Sequence, residues 1–321
     1  MRLSVFLCFS TLAIAHAYSE PENHTSAPKD RDTLLRIQIF LDKNLFSPGK
    51  LDGTIGEFTH KAVVNYNFAK GHSKLQDWAR VEAAAQQEVR VIFAAFKVTE
   101  DLFKFINKDL PDDPAKQAEF SFMGYRSLSE LVAERFHTDE TFLSKINPKK
   151  NIDSMVEGEV IIVPNITPFK IEDVKPMQTF RKDRELSSNT MVIDTYERMG
   201  IVYNLDEIMI AAFPITPGKP QFIPFGSWTV NNMMTTPSFR YDKQFLEEGV
   251  RGEAAYQLPS GPNSPIGIIW CGLSKSGIGL HGTAFPRTIG RSRSAGCVRF
   301  ANWDAIRLPS LIRPGTTVIV R

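Results

Sequence analysis

From residue 191 to the C-terminus the chain changes texture, and that change restricts the fold more than any other feature. Residues 191–194, 200–205, 208–214, 226–230, 267–270, 277–280, 297–300 and 316–320 are short runs rich in β-branched and other apolar side chains, separated by Gly, Pro, Asn and Ser. Runs this short do not make independent helices, and many of them with turn residues between indicate an all-β domain, sandwich-like or barrel-like, over residues 190–321.

Upstream the pattern is helical. In residues 32–72, Leu34, Leu35, Ile39, Leu41 and Leu45 fall near a helical period, SPGKLDGTIG supplies turn residues, and residues 59–68 return to helical spacing. Residues 73–116 read as a helical connector of one or two amphipathic helices carrying Leu75, Trp78, Val81, Val89, Ile92 and Phe96, broken by the prolines at 111 and 114. Within residues 117–166, Leu128, Leu131, Val132 and Phe136 form one helix face, Phe142, Leu143 and Ile146 a second, and 160–163 a short strand. Residues 167–189 are charged and contain proline, which suits a linker or an edge strand.

The N-terminus reads as an export signal: Arg2, the apolar stretch LSVFLCFSTLAIA, then Ala15-His16-Ala17, with cleavage expected after Ala17. The apolar run is short for a bilayer span, so no stable membrane insertion is expected once the signal is removed, and the destination is the periplasm or cell envelope. Residues 18–31 are polar and lack an apolar period, and are expected to be a disordered leader. Removing Arg2, the only charged residue of the first seventeen, leaves 37 basic side chains against 36 acidic ones. That balance gives no electrostatic case for nucleic acid as a partner.

For chemistry the sequence excludes more than it admits. No Cys-x-x-Cys and no pair of histidines at metal-ligand spacing occurs, which disfavours a zinc hydrolase. No Gly-x-Ser-x-Gly elbow and no phosphate-cradling loop occurs either. Past the signal only Cys271 and Cys297 remain, and among the histidines only His281 lies in the β-rich region. A thiol attacks as the thiolate, and a neighbouring imidazole can take its proton. Arg287, Arg291 and Arg293, with no acid between them, would make an electropositive rim. Gly296, lacking a Cβ, would let a substrate carbonyl approach backbone N–H donors beside Cys297. A Cys271–Cys297 disulfide, or two inert buried thiols, are the bland alternatives.

Three stretches resemble known families. HGT at His281–Thr283, SAGCVR at Ser294–Arg299 and the following ANWDAIRLPSLIRPGTTVIV resemble the L,D-transpeptidase (YkuD-domain) family. The resemblance implies Cys297 as nucleophile, His281 as general base, Ser294 and Gly296 framing the thiol loop, and Arg299 placing substrate. Gly282, Thr283 and Trp270 join them as substrate-binding candidates, although Trp270 also reads as a core residue. Where the family signature has His between Ser and Gly, this chain has Ala295. The implied reaction exchanges acyl groups on peptidoglycan stem peptides through a Cys297 thioester, joining third stem residues, and needs neither a metal nor an organic cofactor. A hydrolase, an enzyme attaching envelope proteins, and a non-catalytic wall-binding protein are the alternatives. Residues 32–72 resemble a small peptidoglycan-binding helical domain, in which Asp52 is a turn residue or a ligand. Residues 117–166 resemble a LysM module through Tyr125, Asn147, Pro148, Gly158 and Pro164, with Tyr125-Arg126-Ser127 in place of the usual Gly-Asp-Thr.

Overall fold

The computed structural model describes residues 26–219, 222–223, 225–292 and 296–321. The expected signal and most of the leader, as well as Arg293, Ser294 and Ala295, lie outside the described residues.

The first helix, Arg31–Lys43, begins where Asp30 accepts a hydrogen bond from the Thr33 N–H at 2.8 Å. It buries Leu34, Leu35, Ile37, Ile39, Phe40 and Leu41. Gln38 organises the loop that follows: its Oε1 accepts from the Asp52 and Gly53 N–H groups at 3.0 and 2.8 Å, while its Nε2 donates to the Thr54 carbonyl and the Thr59 hydroxyl. Gly53 has φ +64°, and a Cβ there would stand 2.7 Å from the Arg31 carbonyl oxygen, so the turn requires glycine. Asp52 accepts from the Thr54 N–H at 2.9 Å and pairs with Lys50, which makes it a turn residue. Helices Glu57–Ala69 and Trp78–Glu88 complete this unit.

The expected connector helix stops at Glu88, and Phe93–Lys97 is instead strand β1, antiparallel to β2, Val160–Pro164. Val89, Ile92 and Phe96 match a helical period, but the aromatic and β-branched composition around them fits a pleated surface better. Between the two strands lie helices Leu128–Arg135 and Glu140–Ile146, capped by Ser127 and Asp139. The unit therefore starts before residue 117, with an excursion over 98–127 inside it. Residues 167–189 are no free linker: Phe169 and Ile171 are buried, and Thr179 bridges to Met234.

The C-terminal part is one mixed sheet of eight described strands, ordered β11-β10-β9-β6-β12-β3-β4-β5. These are β3 Thr190–Asp194, β4 Met199–Tyr203, β5 Met209–Pro214, β6 Gly226–Thr235, β9 Ile269–Leu273, β10 Gly279–His281, β11 Val298–Arg299 and β12 Thr317–Val320. The β10–β11 and β12–β3 pairs are parallel, the others antiparallel. Of the sandwich-like and barrel-like expectations, the single curled sheet fits the barrel-like one, and the sandwich-like reading is corrected. Its outer edges approach each other through Thr216, just past β5, which exchanges backbone hydrogen bonds with Arg299 of β11 at 2.9 and 3.0 Å. A separate hairpin, β7 Phe239–Tyr241 with β8 Tyr256–Leu258, stands beside it.

The parts share one core rather than hanging on linkers. Asp42 of the first helix meets His137 Nδ1 at 3.1 Å and Arg307 Nη2 at 2.8 Å, and His137 stacks on Trp303 at 5.5 Å. Ser47 donates to Asp304 at 3.0 Å, and the Ser47 N–H and Leu45 carbonyl pair with Ala212 of β5. Asp304 lies in helix Asn302–Ala305 and ties that helix to the N-terminal unit.

Candidate active site

Strand alternation builds the site. In the parallel pair, Leu280 faces Val298 and His281 faces Arg299. Leu280 and Val298 are fully buried, so Gly279, His281, Cys297 and Arg299 share the opposite face. On the antiparallel side His281 pairs with Trp270 of β9, which pairs with Met234 of β6. One row of cross-strand neighbours therefore reads Met234, Trp270, His281, Arg299, and Cys297 sits a step back along β11, level with Gly279. All five of these side chains line a cleft of about 610 Å³.

Trp270 lies flat on this floor. Its ring stacks on His281 at 5.8 Å with an interplanar angle of 25°, and the space it fills is left by two glycines. A Cβ on Gly279 would stand 2.6 Å from the indole, and one on Gly272 would stand 3.0 Å from the indole nitrogen. Trp270 is thus a cleft residue, not a core residue. Cys271, next to it, points the other way and is fully buried; both cysteines are free thiols, which removes the disulfide alternative.

His281 Nδ1 lies 2.6 Å from the Gly282 carbonyl oxygen, so an Nδ1–H donor leaves Nε2 as the proton acceptor. Burial pushes the imidazole down to about 3, and the nearby Arg299 guanidinium acts in the same direction against backbone contacts from Gly282 and Ile266. Burial also pushes the Cys297 thiol up to about 11, although the Gly279 backbone and Arg299 pull it down. The Cys297 thiol donates to the Gly277 carbonyl at 3.6 Å. Both shifts favour the neutral forms of the pair in the substrate-free cleft.

Of the expected rim, Arg293 lies outside the described residues, and the other two arginines are away from the cleft. Arg287 is exposed and pairs with Glu140 at 3.4 Å, and neither it nor Arg291 lines the cleft. The cations at the cleft are Arg240, Arg251, Lys275 and Arg299, and no acidic side chain is among its described lining residues. Arg299 makes no ion pair among the described residues, and its Nε is buried without a partner. Gly282 and Thr283 do not line the cleft; Thr283 is buried and its N–H donates to Asn302 Oδ1 at 3.1 Å. A Cβ on Gly282 would stand 2.1 Å from that same oxygen. They support the turn after His281 because the strand ends there and the chain dives inward. Gly296 is packed too: a Cβ there would come within 3.0 Å of Ile278, and one on Gly218 within 2.3 Å of the Gly296 carbonyl. Ser294 lies outside the described residues.

Another part of the lining comes from an element that strand spacing did not reveal. Asp242, after β7, caps helix Lys243–Glu248 by accepting from the Phe245 N–H at 3.0 Å, and also holds the Gly252 N–H and Arg240. Gly249, at φ +77°, ends the helix in the left-handed conformation. Phe239, Arg240, Phe245, Leu246 and Arg251 thereby line the cleft together with Cys297. The D-x-x-F cap and the terminal glycine were the available sequence signal.

The chain is similar to several known proteins. Residues 188–320 match the YkuD family profile, the L,D-transpeptidase catalytic domain. A Bacillus licheniformis protein named "Putative L,D-transpeptidase YkuD" is 28% identical over 192 residues, covering 60% of this chain and 92% of the relative. A Bacillus subtilis protein of the same name is 44% identical over 59 residues, covering 18% of this chain and 36% of the relative. Among solved structures, Mycobacterium tuberculosis L,D-transpeptidase 3 is 14% identical with a TM-score of 0.33, covering 52% of this chain and 76% of that one. An Enterococcus faecium L,D-transpeptidase mutant is 17% identical with a TM-score of 0.33, covering 41% and 49%.

Proposed function

We propose that this chain, whose C-terminal part is an L,D-transpeptidase catalytic domain of the YkuD family, is an exported cell-envelope enzyme that transfers acyl groups between peptidoglycan stem peptides through a thioester on Cys297. The observation that carries the reading is the placement of Cys297, His281 and Arg299 on one face of paired strands, at the floor of a cleft whose described lining holds four cations and no acid. A stem peptide bearing carboxylates suits that charge.

In the first half-reaction the thiol proton passes to His281 Nε2 as the sulfur adds to the carbonyl carbon of the third stem residue. The carbonyl oxygen becomes an oxyanion, for which backbone N–H groups of the Cys297 loop are the candidate donors. The bond to the terminal D-amino acid breaks, and its nitrogen leaves with the proton held by His281. In the second half-reaction an amine of another stem attacks the thioester, His281 takes the amine proton, and the sulfur departs as the restored thiol. A substrate carboxylate on Arg299 would offset the positive charge that presses the imidazole down, so the base strengthens as substrate arrives.

Cys297→Ala, compared with the intact protein on isolated peptidoglycan, tests this by muropeptide analysis. New crosslinks between third residues, dependent on Cys297, are expected. Shortened or opened stems would instead identify water as the acceptor, and unchanged muropeptides with wall binding retained would overturn the enzyme reading.

A further inference from the structure

The turn that holds His281 is tied to a carboxyl group from outside the catalytic domain. Glu134, on helix Leu128–Arg135, is buried, and its Oε1 accepts from the Tyr125 hydroxyl at 2.8 Å and from Asn302 Nδ2 at 3.0 Å. Asn302 also donates to the Pro262 carbonyl at 3.1 Å, while its Oδ1 accepts from Thr283 at 3.1 Å and Ile268 at 3.3 Å. Gly267 and Gly282 leave the room this side chain needs, since a Cβ on either would stand 2.1 Å from Asn302 Oδ1. The Gly282 carbonyl in turn receives His281 Nδ1. Every link in this series is a named contact between buried groups.

We infer that Glu134 is a positioning residue for the catalytic imidazole: through Asn302 it fixes the 282–283 backbone, and so the tautomer and orientation of His281. This rests on His281 acting as the base. Burial pushes the Glu134 carboxyl up to about 8, so it serves as a neutral hydrogen-bonding partner, a role that glutamine can fill. Arg135, its neighbour, is engaged by Glu172 at 2.6 Å and is not needed to balance it. The excursion within the β1–β2 unit is anchored nearby, where the Met123 N–H donates to the Ser260 carbonyl and Asn263 Nδ2 donates to the Gly124 carbonyl.

The test uses the whole chain with Glu134→Gln, Glu134→Leu and Glu134→Asp. Two readouts are the low-field imidazole Nδ1–H resonance, assigned by its loss in His281→Gln, and the rate of Cys297 acylation by a carbapenem followed by intact mass. Glu134→Gln should keep the resonance and stay within about threefold of the natural rate. Glu134→Leu should lose the resonance through exchange and slow acylation by about 10²-fold, the scale of a small misplacement of a reacting group. Should the leucine variant fail to fold, Glu134→Asp, which retracts the carboxyl by one methylene, should show the same loss. A folded Leu or Asp variant with the resonance and rate of the natural chain overturns the inference. Absence of any adduct on the natural chain would defeat the proposed function, and the resonance alone would then decide the positioning role.

Discussion

Raising the pH from 6 to 10.5 on the substrate-free protein, while measuring alkylation of Cys297 by iodoacetamide, tests the neutral resting pair directly. With the thiol pushed up to about 11, the thiolate is about one part in a thousand at pH 8 and rises about tenfold per pH unit. The logarithm of the rate should therefore climb with unit slope to pH 10, where an ordinary exposed cysteine would have levelled off near its own pKa of about 8.5. Intact-mass sampling gives the rate, absorbance at 240 nm gives the thiolate, and Cys297→Ala supplies the blank, because Cys271 is fully buried and should not react. The sign for Arg299 follows: Arg299→Gln removes a charge that favours thiolate and disfavours imidazolium, so both groups should titrate higher. A plateau below pH 8 that vanishes in His281→Ala would reveal a preformed thiolate–imidazolium pair and refute the neutral description.

Gly279→Ala should displace Trp270 from His281, since the new methyl would meet the indole at 2.6 Å and the Cys271 carbonyl oxygen at 2.9 Å. Acylation should fall at least tenfold, tryptophan fluorescence should change, and folding should weaken by about 1–3 kcal/mol in denaturant titration. Glu134 and Asp304, pushed by burial up to about 8 and about 7, hold protons when folded that the unfolded chain releases near pH 4. Their stabilising contribution is complete below that point and is lost progressively as pH rises from about 4 to 7–8, so denaturant midpoints should decline across that range, level off above it, and decline less in Glu134→Gln.

All eight of the short runs read from sequence fall on strands of the main sheet, because β-branched clusters between turn residues report local preference directly. How those strands assemble was not legible: parallel returns at β12 and β11 depend on contacts far apart in the chain. β1 reads as helix in sequence because Val89, Ile92 and Phe96, three and four residues apart, follow a helical period and not a strand alternation, and β7 and β8, at three residues each, are too short to show a period. At the site, the Cys297 and His281 motifs stood out by residue type and brought two side chains into one cleft. Gly282 and Thr283 carried no mark of direction beyond the end of their strand. Nothing near Glu134 pointed to Asn302, 168 residues away.

The meeting of Thr216 with Arg299, together with the segment Leu45–Ser47 laid against Ala212, means that both outer strands of the sheet have backbone groups engaged by the chain itself. Open strand borders invite extended peptides from other molecules to add on, and are a common beginning of aggregation. For a protein whose proposed substrate is itself a crowded mesh of peptides, this self-sealing would keep the borders of the main sheet from competing with the cleft at Cys297 for peptide strands.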